Sequence, residues 1–153
     1  MKNNGVSFVE MLLVVIVLGI VASITIPQYS AAGEDAKISH LRYNLQNIRW
    51  QIQLYKNQHN GMLPTANGLS FIDAMTKCTY AGGSIAKEQK TRPGVFGPYL
   101  NRVPKNPFIT DESAASIIKC GPQTPEADGS SGWFFNTTTG AFNANDNTTH
   151  SAL

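Results

Sequence analysis

Two apolar patterns follow one another in the first part of the chain. Residues 6–26, VSFVEMLLVVIVLGIVASITI, are apolar at almost every position, and Glu10 is their single charge. As a helix they would measure about 31 Å at ~1.5 Å per residue, enough for a bilayer core of roughly 30 Å. Farther on, Ile38, Leu41, Leu45, Ile48, Ile52 and Tyr55 recur at alternating intervals of three and four. That spacing predicts an amphipathic helix over about 34–58 with one apolar stripe. Lys37, Arg42, Gln46, Asn47, Arg49, Gln53, Lys56 and Asn57 lie off the stripe, toward water or a neighbouring molecule, and Glu34 and Asp35 stand where a helix dipole favours acids. A stripe this short reads as one side of a core, packed on a sheet. Joined through Pro27, the two runs would extend roughly 80 Å, a spine with no use in a simple globular protein.

Gly61 and Pro64 end the second run, and residues 67–75 predict a short helix. Strands are expected at 99–103, 116–119, 133–136 and 141–143. The last two flank Thr137, Thr138, Thr139 and Gly140, which reads as an antiparallel hairpin. Trp133 and Phe135 then share one face, opposite Phe134, and cross-strand pairing with Phe142 supplies the aromatic core.

The chain has 153 residues, 42% hydrophobic and 14% charged, with a net charge of +2. One domain fits this length. The charge is too even for a nucleic-acid surface, and its scarcity against a usual ~25% traces to residues 11–33, which carry none. Residues 6–26 alone admit a cleaved secretory signal, a plain membrane anchor or a buried core helix, but each leaves Glu10 unexplained, because a carboxylate in hydrocarbon needs a partner. His40, His59 and His150 are scattered, read as solvated, and have no second ligand type beside them. No G-x-S-x-G elbow appears, and an enzyme is not expected.

Taken in order, Gly5, Val6, three further residues, Glu10, an apolar run containing Gly19, and Pro27 at its end resemble the class III prepilin signal of the type IV pilin and type II secretion pseudopilin superfamily. Val6 departs from the usual Phe. Downstream, Tyr55, Asn60-Gly61, Pro64-Thr65 and Gly68-Leu69 resemble the pattern of major pseudopilins. So does Gly97-Pro98-Tyr99 followed by Pro104-Lys105-Asn106-Pro107-Phe108, where Asn106 and Phe108 replace Asp and Trp of a Pro-Lys-Asp-Pro-Trp segment.

The resemblance implies an α+β, pilin-like ladle, with a long N-terminal helix packed on a small antiparallel sheet. Residues 1–5 would be a leader removed by prepilin peptidase between Gly5 and Val6, with N-methylation of the new terminus. Residues 6–27 would form a membrane and filament-core helix, and 28–153 a periplasmic domain held by that single pass in a bacterial inner membrane. Glu10 would pair with a neighbour's terminal amine and set subunit register; Gly19 and Pro27 would let the helix bend or melt. The implied function is that of a structural subunit of a pilus-like filament, driven by an inner-membrane platform and its ATPase, polymerising with itself and with other pseudopilins to move proteins across the outer membrane. A type IV pilin for adhesion, twitching or DNA uptake is the alternative, and a single-pass periplasmic binding module is a second.

Export would also permit a Cys78–Cys120 disulfide, worth about 4 kcal/mol for a loop of this length; type IV pilins often carry such a staple, and two buried thiols are the other reading. No cofactor is implied except calcium, which major pseudopilins bind near the carboxy terminus. Asp128, Asn143, Asn145 and Asp146 are the oxygen donors in that region. The family's run of acids is absent, however, and a solvated polar tail of Asn and Thr is the competing reading.

Overall fold

The computed structural model describes residues 5–87 and 93–153, with the side chains of residues 24–31 outside that description. Its first element, α1 (Phe8–Gln58), holds both apolar patterns in one helix and is divided between two compact units, Met1–Ile38 and Ser39–Leu153.

In the first unit, the amide of Met11 donates to the carbonyl of Ser7 (3.1 Å), which starts the helical ladder. All side chains of residues 6–23 are exposed, Phe8 at 82%. Gly19 and Pro27 fall inside α1; the side chain of Pro27 lies outside the described residues. Glu34 and Asp35 do not open a second helix, because α1 is already helical when it reaches them. Glu34 instead accepts a bond from Lys37 (3.2 Å), an exposed i,i+3 pair worth only a few tenths of a kcal/mol.

In the second unit the same helix becomes one-sided. Leu41, Leu45, Ile48, Ile52 and Tyr55 are buried, while Tyr43 and Trp50 stay exposed. Arg49, expected to face water or a neighbour, turns inward and donates to the carbonyls of Phe142 and Leu153, both at 2.9 Å. The helix ends where Asn60 enters the left-handed region (φ 54°) and the amide of Gly61 reaches back to the carbonyl of Lys56 (2.8 Å). That six-to-one bond satisfies a carbonyl the finished helix would leave open.

A second helix, α2 (Phe71–Thr76), begins at Ser70, whose hydroxyl accepts from the amide of Asp73. Two short strands, β1 (Thr79–Tyr80) and β2 (Val95–Phe96), pair antiparallel. They escape a periodicity reading because two residues show no alternation. Residues 99–103 were expected as a strand and are not one. The amides of Tyr99 and Leu100 both donate to the carbonyl of Met75 (2.9 and 2.8 Å), so the donors a ladder would need are spent on the end of α2.

The larger sheet has β4 (Trp133–Asn136) at its centre, between β3 (Ile118–Gly121) and β5 (Phe142–Ala144). The expected hairpin forms: β4 and β5 run antiparallel with Phe135 opposite Phe142, and Asn136 Oδ1 accepts the amides of Thr138 and Thr139 across the turn (2.9 and 2.8 Å). β3 lies parallel to β4, so this sheet is mixed, and residues 122–132 supply the long connection a parallel pair requires. A 3₁₀ turn (Ala114–Ser116) takes Ser116 and moves the expected strand 116–119 toward Gly121. The chain closes with a single helical turn, α3 (Thr148–Ser151).

One core joins these pieces: the α1 stripe, Phe71 and Met75 of α2, and Trp133, Phe135 and Phe142 of the sheet. The Phe71 ring lies 4.7 Å from Phe135 and 5.6 Å from Phe142, and Trp133 gives its indole N–H to the carbonyl of Pro104 (2.8 Å). Phe134, on the opposite face, is buried as well. The connection before β4 is tied there by Asn136, whose amide donates to the carbonyls of Pro122 and Gln123.

Candidate functional site

Two groups of residues carry the chemistry expected from the sequence, one in each unit. In the first, Gly5 and Val6 precede α1, Val6 is 67% exposed, and Glu10 stands in the first turn of the helix. Ser7 and Glu10 therefore have the S-x-x-E spacing of a capping box at the point where α1 begins. That spacing was legible in the sequence and was not read there. The carboxylate also favours the partial positive charge of the helix start. Among the described residues no helix is long and apolar enough to cross a membrane. The span 6–26 on which that expectation rested runs into residues 24–31, and its described part is the exposed apolar stretch ending at Ser23.

The second group surrounds the carboxy-terminal loop. Of the four oxygen donors considered for calcium, the structure joins only Asp128 and Asn145. The Asn145 side chain is fully buried; its amide donates to Asp128 Oδ1 and to the hydroxyl of Ser131, both at 3.0 Å, and its oxygen accepts the amide of Ala127 (3.0 Å). Ala127 has a positive φ of 52°, a strained conformation for a residue with a Cβ, and Asn145 pins it. Asp128 further accepts from the amide and hydroxyl of Ser130 (3.0 and 2.5 Å) and from Lys119 (3.2 Å). Those bonds, Ser130 first, hold its carboxyl well below the usual range.

Asp146 faces elsewhere. One oxygen accepts the amide of Asn106 (2.9 Å); the other accepts the amide of Asn147 (2.9 Å) and the ring Nδ1–H of His150. The Asp146 side chain is 4% exposed and that of His150 13%, so the expectation of a solvated His150 is corrected: it is paired, and it packs on Phe108 with ring centres 4.2 Å apart. Asn143 turns its amide to the carbonyl of Ser151 (2.7 Å). The competing reading of a solvated polar tail is corrected too: this segment is a hydrogen-bonded turn. Among the described residues no cluster of three or more His, Cys, Asp or Glu could hold a metal ion. The oxygens of Asp128 and Asp146 are met by N–H and O–H groups, a donor set unlike the oxygen shell of a hard cation.

Asn106, which sequence reasoning singled out only as a departure from Asp, is a centre of this network. It is 1% exposed, donates to the carbonyl of Gly132 (2.9 Å) as well as to Asp146, and accepts the amide of Phe108 (2.9 Å). Gly132 has no room for a side chain, since a Cβ would meet the carbonyl oxygen of Ala115 at 2.0 Å.

Two further expectations change. Cys78 and Cys120 are free thiols in this structure: the first lies just before β1 of the two-stranded sheet and the second on β3 of the three-stranded one. His59, expected to be solvated, is fully buried. It stacks on Tyr55 at 3.8 Å, gives Nδ1–H to the carbonyl of Tyr55 (2.9 Å), and receives the hydroxyl of Thr79 at Nε2 (2.9 Å). Burial pushes its imidazole below the ordinary value.

An exposed apolar start to a long N-terminal helix, whose later part packs on a small α+β unit, is the pilin-like fold class. The chain is 24% identical over 110 residues to the type II secretion system core protein G of Pectobacterium carotovorum subsp. carotovorum, a match covering 72% of this chain and 65% of that protein. No family model matches, and no solved structure does.

Proposed function

We propose that this chain is a structural subunit of a pilus-like filament, a pseudopilin of a type II secretion system, and not an enzyme. The observation that carries the reading is the exposed apolar stretch of α1 with Glu10 as its single charge. Side chains such as Phe8, Leu13 and Leu18, each more than half exposed, are stable only against lipid or other apolar helices. Before assembly the bilayer covers them, with the second unit on the periplasmic side; afterwards neighbouring subunits do.

In this reading prepilin peptidase cuts after Gly5, and the terminal amine of Val6, once methylated, meets Glu10 of an adjacent subunit. Two opposite charges in an apolar bundle offset a desolvation cost that neither could bear alone. The inner-membrane platform and its ATPase supply the work of extraction. A further surface supports polymerisation: Tyr43 and Trp50, 67% and 73% exposed, border a groove of about 820 Å³ between α1 and the β4–β5 hairpin, where a neighbouring subunit would shield the rings. The rival reading as a type IV pilin draws on the cysteine pair, which is unbridged in this structure.

The test is Glu10→Leu in the native host. Membrane insertion should persist while incorporation into filaments, read by shear fractionation and cross-linking, is lost. Filaments of ordinary yield would sink the registration role, and a chain cut elsewhere than after Gly5 would sink the pseudopilin reading.

A further inference from the structure

The two departures from the Pro-Lys-Asp-Pro-Trp pattern, Asn106 and Phe108, are separated from the chain's end in sequence yet meet the same pair of side chains in space. Asn106 donates to Asp146 (2.9 Å), and Phe108 covers the ring of His150, which donates to the other oxygen of Asp146. Asn147 completes the set, giving its amide to Asp146 and accepting the amide of His150 (2.8 Å) as the cap of α3. We infer that Asn106, Asn147 and His150 together do the work of a bound divalent cation, so that the carboxy-terminal loop is locked by protein N–H donors around Asp146 and is insensitive to calcium.

The physical case is one of donor type. A divalent cation needs six to eight oxygens turned toward one point, whereas here the carboxylate oxygens, buried at Asp146 and exposed at Asp128, are turned toward hydrogens. Asp128 and Asp146 accept from separate donor sets, Ser130, Lys119 and Asn145 for the first and Asn106, Asn147 and His150 for the second. Among the described residues no buried side-chain N or O lacks a partner, so no buried side-chain oxygen is held in reserve for a metal. An Asp at position 106 would instead set a carboxylate against Asp146 and remove the N–H it depends on. Charged groups left in such proximity without a counter-charge are costly when buried.

The test is thermal unfolding of the full chain in detergent, once with calcium chloride and once with a chelator. The unchanged protein should melt at the same temperature in both. Asn106→Asp and His150→Ala should each lower the midpoint by about 5 °C or more in the chelator, and His150→Asn, which keeps an N–H donor near the place of Nδ1, should lose clearly less than His150→Ala. A calcium-dependent rise in the midpoint of the unchanged chain would overturn the inference. So would an Asn106→Asp variant as stable as its parent, or equal losses for the two His150 variants. Filament incorporation is not read here, so the secretion role and the loop lock stand or fall separately.

Discussion

One helix serves two environments in this protein. Over residues 8–23, in the first unit, α1 is apolar on nearly every side and exposed; in the second it is apolar on one stripe, and that stripe is buried. Helical propensity does not separate the two parts, since both are helix. What differs is where each can place apolar surface. The second part finds α2 and the β-sheet within its own chain, while the first finds nothing among the described residues and must look outside the molecule. A sequence can thus encode a partner by withholding one.

Substitutions can break that contrast, and the largest effect is expected in the second unit. Phe142→Ala removes a ring packed against Phe71 and Trp133 and paired with Phe135, and should cost about 3–5 kcal/mol in denaturant unfolding. Gly132→Ala should cost about 3 kcal/mol, because its methyl would enter the carbonyl of Ala115; an unchanged midpoint would mean that the 3₁₀ turn does not press on β4. Next comes pH. His59 is held neutral by burial, with a value below the usual 6.5. The unfolded chain therefore takes up the proton first as pH falls, and stability should be constant above about pH 6.5 and decline below it, no more steeply than about 1.4 kcal/mol per pH unit. His59→Gln should flatten that decline. Asp128 acts in a separate window, below its ordinary value of 3.8, where protonation releases its bonds to Ser130 and Lys119. The smallest effect belongs to the first unit: Leu13→Ala, at a 61% exposed position, should shift the unfolding of the second unit by no more than about 0.5 kcal/mol. A loss comparable to that of Phe142→Ala would show that the exposed stretch is not a surface held for others.

Much of this was legible from local pattern. The alternation of three and four from Leu41 to Tyr55 marked the buried stripe, and the Thr-rich turn before Phe142 marked the hairpin. Short or non-local features were not. β1 and β2 are too brief to show a period, and residues 99–103 have strand-like composition but lend two amides to the carbonyl of Met75. His59 looks like any polar residue at a helix end until Thr79 and Tyr55 close over it.

What the chain determined by itself was whatever depends on neighbours in sequence: the helical period, the lone acid at Glu10, the Asn60-Gly61 stop and the turn at Gly140. Only tertiary structure decided the rest. It brought Asn106, from one loop, to Asp146, from another, across an interval that no local pattern spans, and it set Cys78 beside the two-stranded sheet and Cys120 on the three-stranded one. The physical reason is that hydrogen bonds act over about 3 Å, so their partners are chosen by where the packed core delivers each loop rather than by the loops' own composition.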